Sequence, residues 1–266
     1  MPVARVNDIR IYYQEAGAGD PLVLLMGWGG DHTAWALQVA GFSAEFRCIS
    51  PDNRGAGRSD QPDIPYTIRM MADDTVGLLD TLGIDRAHVA GLSLGGMISQ
   101  EIAINYPARV RTLQLHATLG RYDPSLRPGR QTLLRIRATL GREDFIQALL
   151  PWLFTPRTFA ERPEFLELIA QRMADNPHPP SVTGLTRQGE AAWAHDALDR
   201  LGQIRCPTLI TVGAQDIMIP PKFSSELHAR IPGAELVVIE GGGHGYLWEQ
   251  PAAFNDACLQ FLRKHS

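Results

Sequence analysis

A chain of 266 residues, 44% hydrophobic and 20% charged, is long enough to bury a sizeable core and too short for two full-sized independent domains. Its 25 Lys and Arg against 29 Asp and Glu leave a formal charge of −4, mixed along the length, so no basic field exists to hold nucleic acid or an anionic membrane surface. The longest apolar run, Leu22 to Met26, falls far short of the roughly 18 residues that span a bilayer, which excludes a transmembrane helix.

The segment from Met1 to Arg10 mixes Arg5, Asp8 and Arg10 with short aliphatics and has no apolar stretch of a secretory signal, so a cytoplasmic protein is expected. Cys48, Cys206 and Cys258 are odd in number and widely spaced, a usage that fits reduced thiols in core elements and neither a metal site nor a redox pair. A strand is predicted at Ile9–Gln14, followed by the near-continuous apolar run Pro21–Met26 of a parallel strand buried on both faces. Phe46–Ser50 repeats that pattern. A helix with an apolar stripe at Met70, Met71, Val76, Leu79 and Leu82 then stops at Gly83. Strand Ala87–Ala90, a helix over Gly95–Asn105 and strand Val110–Leu115 continue an alternation that specifies an α/β domain with a mostly parallel sheet.

From Arg121 to Gln203 the alternation gives way to helices alone, near Arg130–Leu140, Glu143–Leu149, Glu164–Met173 and Gly189–Leu201. Strands resume at Thr208–Val212 and Glu235–Ile239, and a helix over Pro251–Leu262 closes the chain. The expected organisation is a core of residues 1–120 and 204–266 interrupted by a helical insertion, 121–203. Extra helices packed on the core would explain the insertion; a lid over a pocket explains it better, because Trp152, Phe154, Phe159 and Trp193 exceed what a thin helical layer needs for its own packing.

Gly91-Leu92-Ser93-Leu94-Gly95-Gly96 lies between a predicted strand and a predicted helix, the context in which G-x-S-x-G holds a serine on a tight, strained turn at the carboxyl edge of a sheet. A serine hydroxyl is a weak nucleophile and needs a base oriented by a buried carboxylate. Asp216, in Gly213-Ala214-Gln215-Asp216, and His244, in Gly241-Gly242-Gly243-His244, each follow a late strand and would emerge at the same edge. Among the other histidines, His88, His228 and His265 are placed away from the edge, whereas His32, His116, His178 and His195 remain candidates to border the pocket; Asp123 is the alternative acid. The developing oxyanion needs donors, and the backbone N–H groups of Leu94 and of Trp28, in Gly27-Trp28-Gly29-Gly30, are the candidates. Phosphate binding by that loop is disfavoured, since it has neither a P-loop lysine nor G-x-G-x-x-G spacing.

Together these residues resemble the α/β-hydrolase superfamily over essentially the whole chain: the elbow at Ser93, the loop Met26–Gly30, the segment from Asp52 to Ser59 and the final Gly243-His244 follow in its order. Within it the chain resembles the small bacterial group of 3-oxoadipate enol-lactonases, non-haem haloperoxidase-like esterases and polyketide methylesterases. The resemblance implies an α/β-hydrolase fold with an inserted helical cap, no cofactor and no metal. It also implies that the Asp52–Asp60 segment is a structural turn in which Arg54 and Ser59 hold loops near the site. One departure is Met26-Gly27 where many relatives carry His-Gly, a change that spares backbone donation from Trp28 but bears on loop rigidity. Haloalkane dehalogenases and epoxide hydrolases of this fold use an aspartate nucleophile where this chain has Ser93.

The expected activity is hydrolysis of a carboxylic ester or lactone through an acyl-enzyme on Ser93, with a small-molecule substrate as partner; a homo-oligomer is left open. Trp28, Leu94, Met97, Trp152, Phe154 and Trp193 are expected to make a largely apolar substrate pocket, with Arg121, Arg127 and Arg187 as carboxylate anchors or, more simply, solvated surface charges. Carbon–carbon bond hydrolysis and cofactor-free perhydrolysis of the haloperoxidase type use the same constellation, and a receptor-like ligand-binding role is the alternative of another class.

Overall fold

The computed structural model describes residues 2–266. Strand β1 (Val3–Val6) and strand β2 (Ile9–Ala16) pair antiparallel through a tight turn at Asn7 and Asp8, both with positive φ, the conformation that two-residue hairpin turns demand. The sequence reading has no strand at Val3–Val6, because four residues alternating between exposed and buried are too few to reveal their period. Strands β3 (Asp20–Leu25), β4 (Phe46–Pro51), β5 (Ala87–Leu92), β6 (Val110–His116), β7 (Thr208–Gly213) and β8 (Glu235–Ile239) complete one sheet of order β1-β2-β4-β3-β5-β6-β7-β8. The β2–β4 pairing is antiparallel and every pairing from β4 to β8 is parallel.

Helices cover both faces, as parallel strands apolar on both sides require. Before β5 the chain adds α1 (Ala36–Phe42) and α2 (Ile68–Thr81), and α3 (Leu94–Asn105) follows β5. Met71, Leu79, Ile98 and Ile102 of α2 and α3 join Val23, Val89 and Leu113 of the strands in one apolar cluster. On the opposite face Trp35 and Phe42 join Phe254, Phe261 and Leu262 of the C-terminal helix, beneath Leu22, Leu24 and Ala90.

Between β6 and β7 no strand forms. The chain builds α4 (Arg127–Thr139), α5 (Arg142–Leu153), α6 (Pro156–Glu161), α7 (Pro163–Asp175) and α8 (Val182–Trp193), and an isolated bridge between Arg121 and Asp196 draws the two ends of this excursion together. The helix expected at Gly189–Leu201 is displaced toward the N-terminus: Ser181 caps α8 by accepting from Gly184 N, so Gly189 sits inside the helix instead of opening it. Leu198–Gln203 forms only a short 3-10 turn. The last three helices are α9 (Pro221–Arg230), α10 (Tyr246–Glu249) and α11 (Pro251–His265). Among the described residues no helix is long and apolar enough to cross a membrane. The cysteines are free, and burial pushes the Cys48 thiol up to about 12 and that of Cys206 to about 11.

Candidate active site

Ser93 stands where β5 passes into α3, at φ 54° and ψ −112°, a left-handed conformation that costs a non-glycine residue about 1–3 kcal/mol. The corner tolerates no side chain on either flank. A Cβ on Gly91 would fall 2.2 Å from the Gly95 carbonyl oxygen, and one on Gly95 would fall 2.1 Å from that of Leu25. The strained turn is held from the next strand, since Ser93 N donates to His116 O at 2.8 Å and the Thr118 hydroxyl donates to Ser93 O at 2.7 Å.

The same lateral stitching carries on to the later strands. Ala117 N donates to Thr211 O on β7, and Thr211 in turn bonds the Tyr246 hydroxyl, two residues beyond His244. Gln215 N donates to Gly242 O, locking the loop after β7 to the loop after β8. Within this frame His244 Nδ1 lies 2.7 Å from Asp216 Oδ2, both side chains buried. Asp216 Oδ1 accepts from the backbone N–H groups of Met218 and Ile219, at 2.8 Å each. An ionised carboxylate only accepts, so the ring nitrogen facing it carries the hydrogen and Nε2 is left free to take a proton. The Ser93 hydroxyl makes no hydrogen bond among the described residues, so its proton is not committed to another acceptor.

The competing candidates are engaged elsewhere. His116 is sealed behind the elbow against Thr211 and its pKa is pushed down to about 3 by burial. His195 is buried beside Gln100 and pushed down to about 4, chiefly by burial. His178 is exposed, and His32 Nδ1 pairs with Asp52 at 2.7 Å. Asp123 caps its own turn at Ser125 and reaches Lys222, not a histidine.

One group among the described residues, Asp31, His32 and Asp52, brings three possible metal ligands close together, but its oxygens already accept from His32, Arg58, Thr33 and Asn176. Asp52 also receives structure from its neighbours: the Ser59 hydroxyl bonds Asp52 O, while Arg54 pairs with buried Asp74. Burial, opposed by Arg54, holds the Asp74 carboxyl above its usual range.

Trp28 and Leu94 flank the elbow serine. A Cβ on Gly27 would lie 3.3 Å from Ser93 Cβ, which puts the Gly27-Trp28 peptide beside the hydroxyl, and the N–H groups of Trp28 and Leu94 donate to no acceptor among the described residues. Two free amides beside a serine are what an oxyanion hole consists of. Met26 in place of histidine leaves the loop braced by other means. Asn53 Nδ2 donates to Met26 O at 2.9 Å, the Trp28 indole to Leu185 O at 2.7 Å, and Gly29 N to Gln188 Oε1 at 2.8 Å. The last two partners belong to α8. The histidine loop is tied to the insertion as well, through Gly245 N to Leu153 O at 2.7 Å and through Glu249, which accepts from Gly243 N and from Thr155 and Thr158.

A narrow pocket opens on Ser93. Of the residues named for a substrate pocket, Trp28, Leu94, Met97 and Trp193 line it. Trp152 and Phe154 do not. Phe154 is buried against Phe165 and Trp248, and Trp152 lies over Gly129, so both spend their rings on packing within and beneath the insertion. Phe159 is 40% exposed. Of the arginines read as possible anchors, Arg121 pairs with Asp196 and Asp199, Arg187 with Asp63 and Glu190, and Arg127 stacks over Trp193. The pocket instead contains Tyr122 and Arg130, which the sequence reading missed. A signal existed: Arg127–Thr139 holds arginines at 127, 130, 135 and 137 and no acidic residue to pair with them inside the helix.

The family model for the alpha/beta hydrolase fold matches residues 20–251. The chain belongs to the α/β-hydrolase family. This α/β-hydrolase is 34% identical over 261 residues to a protein of Azorhizobium caulinodans provisionally named carbamate hydrolase RutD, covering 98% of each chain. Its structure is similar to the enol-lactonase of Burkholderia xenovorans, with a TM-score of 0.89, 31% identity and coverage of 98% of this chain and 100% of that one. It is also similar to a thermophilic esterase of Thermogutta terrifontis solved with malate bound, with a TM-score of 0.87, 31% identity and coverage of 99% and 98%. The α/β-hydrolase fold and membership of this bacterial group stand as the sequence resemblance implied, and the protein is a hydrolase.

Proposed function

We propose that the protein cleaves a carboxylic ester or lactone by a Ser93–His244–Asp216 mechanism. The observation that carries this reading is the buried His244–Asp216 pair at the same sheet edge as a strained serine flanked by two unengaged amides. His244 Nε2 takes the Ser93 proton as Oγ attacks the carbonyl carbon, and the Trp28 and Leu94 N–H groups receive the oxyanion. The imidazolium then protonates the leaving oxygen, the carbon–oxygen bond breaks and an acyl-enzyme remains. Water, deprotonated by the same nitrogen, attacks that acyl group, and the collapse returns the proton to Oγ with release of the acid. Asp216 keeps the ring oriented throughout.

In this reading residues 121–203 act as a cap that closes the pocket and sets substrate class, which their hydrogen bonds to both catalytic loops support. Names among the relatives, an enol-lactonase and an esterase, agree with an oxygen ester as substrate. The relative named a carbamate hydrolase favours a second reading, a carbamate, whose carbonyl the same serine would attack. Turnover of a p-nitrophenyl short-chain ester should fall about 10⁶-fold in Ser93→Ala. Undiminished turnover would remove Ser93 from the reaction. A side-by-side panel of lactone, aryl ester, carbamate and dienone substrates separates ester hydrolysis from carbamate or carbon–carbon cleavage, and covalent labelling of Ser93 by a fluorophosphonate separates an enzyme from a ligand receptor.

A further inference from the structure

Gly189 is the one buried glycine among the described residues that neither its backbone nor its neighbours require. Nine glycines of the chain stand at positive φ, and of the others all but Gly189 and exposed Gly202 would bring a Cβ within 3.3 Å of another atom. A Cβ on Gly189 would instead lie 3.6 Å from Trp193 Cζ2, 3.8 Å from the Trp28 indole nitrogen and 3.9 Å from Leu134 Cδ1, all ordinary van der Waals contacts. Alanine would therefore fit, and inside α8 it would make the better helix. The fold does not call for a glycine here.

The pocket on Ser93 does, for Gly189 is part of its lining. We propose that Gly189 is a specificity-determining residue, kept free of a side chain so that a flat aromatic ring of the substrate lies over it against Trp28 and Trp193. This deepens the hydrolytic reading and rests on it for the reaction at Ser93.

Leu185, Gly189 and Trp193 follow one another at intervals of four along α8 and so share one face. Leu185 O accepts from the Trp28 indole N–H at 2.7 Å and Trp193 stands one turn beyond the glycine, which brings both indoles to it. A single atom added to Gly189 already touches both indoles and Leu134, so the room over the glycine is one atom deep. A flat ring fills such a layer and gains contact with the indoles; a puckered ring or a branched chain is too thick for it. The indoles are held in turn from α4, by the Arg127 guanidinium 4.7 Å from the Trp193 ring centroid and that of Arg130 5.6 Å from the Trp28 ring centroid. Ser93 lines the same pocket, so a ring over Gly189 and a carbonyl at the hydroxyl belong to one small molecule.

The test measures kcat/KM for methyl phenylacetate and benzyl acetate, which carry the ring on the acyl and on the alcohol side, for their cyclohexyl analogues, and for methyl acetate, by acid release in a pH-stat. For whichever ring ester is the better substrate, the wild-type protein should prefer phenyl to cyclohexyl. The ratio of that ester to methyl acetate should fall about tenfold in Gly189→Ala and about 100-fold in Gly189→Val, the range over which one added carbon discriminates in a closed pocket. Gly189→Ala should also raise the urea midpoint. An unchanged ratio in these variants, or equal use of phenyl and cyclohexyl esters by the wild-type protein, overturns the assignment. So does a lowered urea midpoint in Gly189→Ala with the same loss for every ester, the mark of a glycine that the fold requires. Gly189→Ala and Gly189→Ser decide the matter if Gly189→Val fails to fold. A second measurement is independent of turnover: calorimetric titration of Ser93→Ala with the same ring ester should show saturable binding that the added Gly189→Ala change weakens about tenfold. Such binding without turnover by the wild-type protein would sink the hydrolytic reading and keep the ring site; turnover with one ratio in every variant would do the reverse.

Discussion

Asp216 spends one carboxylate oxygen on two backbone N–H groups and the other on His244, so its negative charge is both fixed in place and directed at the ring. Asp216→Asn keeps the shape but offers an amide donor to the imidazole, which favours the tautomer with its hydrogen on the wrong nitrogen; kcat should fall about 10⁴-fold with a smaller change in KM, as ester assays at saturating substrate would show. At this scale the candidate triad was legible because each member follows a strand and sits among glycines, a local pattern that sequence displays directly. Arg130 and Tyr122 were not. They come to line the pocket through the packing of the insertion on the core, and such a juxtaposition is a property of three-dimensional surroundings.

The elements that matter most for the proposed chemistry are the loops after β3 and β8 and the helices of the insertion that brace them. Gln188 of α8, fully buried, accepts from Gly29 N and donates to Arg54 O at 2.7 Å, joining the loop of the proposed oxyanion hole to the turn after β4. Gln188→Ala leaves a half-buried N–H and a buried carbonyl without a partner, the carbonyl at a cost of about 1–3 kcal/mol. Urea denaturation should register that loss, and kcat should drop about tenfold with KM little altered, because a loosened amide loses stabilisation of the transition state while ground-state binding hardly depends on it. A rise in KM with kcat unchanged would assign α8 to substrate contact instead. Periodicity located α4, α5 and α7, but misplaced α8: glycine at 189 looks like punctuation until the packing shows it inside a helix, beside Trp28 and Trp193.

For the molecule as a whole, burial leaves three histidines neutral in the folded state. His88 is pushed down to about 4, His116 to about 3 and His195 to about 4, all from an ordinary 6.5 and all principally by burial. Below pH 6.5 the unfolded chain takes up protons that the native protein refuses, so stability is full above that value and declines as pH falls toward 4. Each histidine contributes a slope of about 1.4 kcal/mol per pH unit, about 4 for the three. Unfolding free energies measured between about pH 7 and pH 5 should show it, and His88→Gln should remove roughly one third of the slope. A flat profile would mean that the native state admits these protons.

The α/β class, the alternation of elements and the hydrolase family were fixed by the chain itself, since buried parallel strands must be apolar on both faces and an elbow serine must be flanked by residues without side chains. Which aromatics line the pocket on Ser93, which arginine reaches it and how the inserted helices grip the loops of the candidate site were decided by folding alone. Those are relations between residues as many as 159 positions apart, as between Gly29 and Gln188, and no local pattern encodes them.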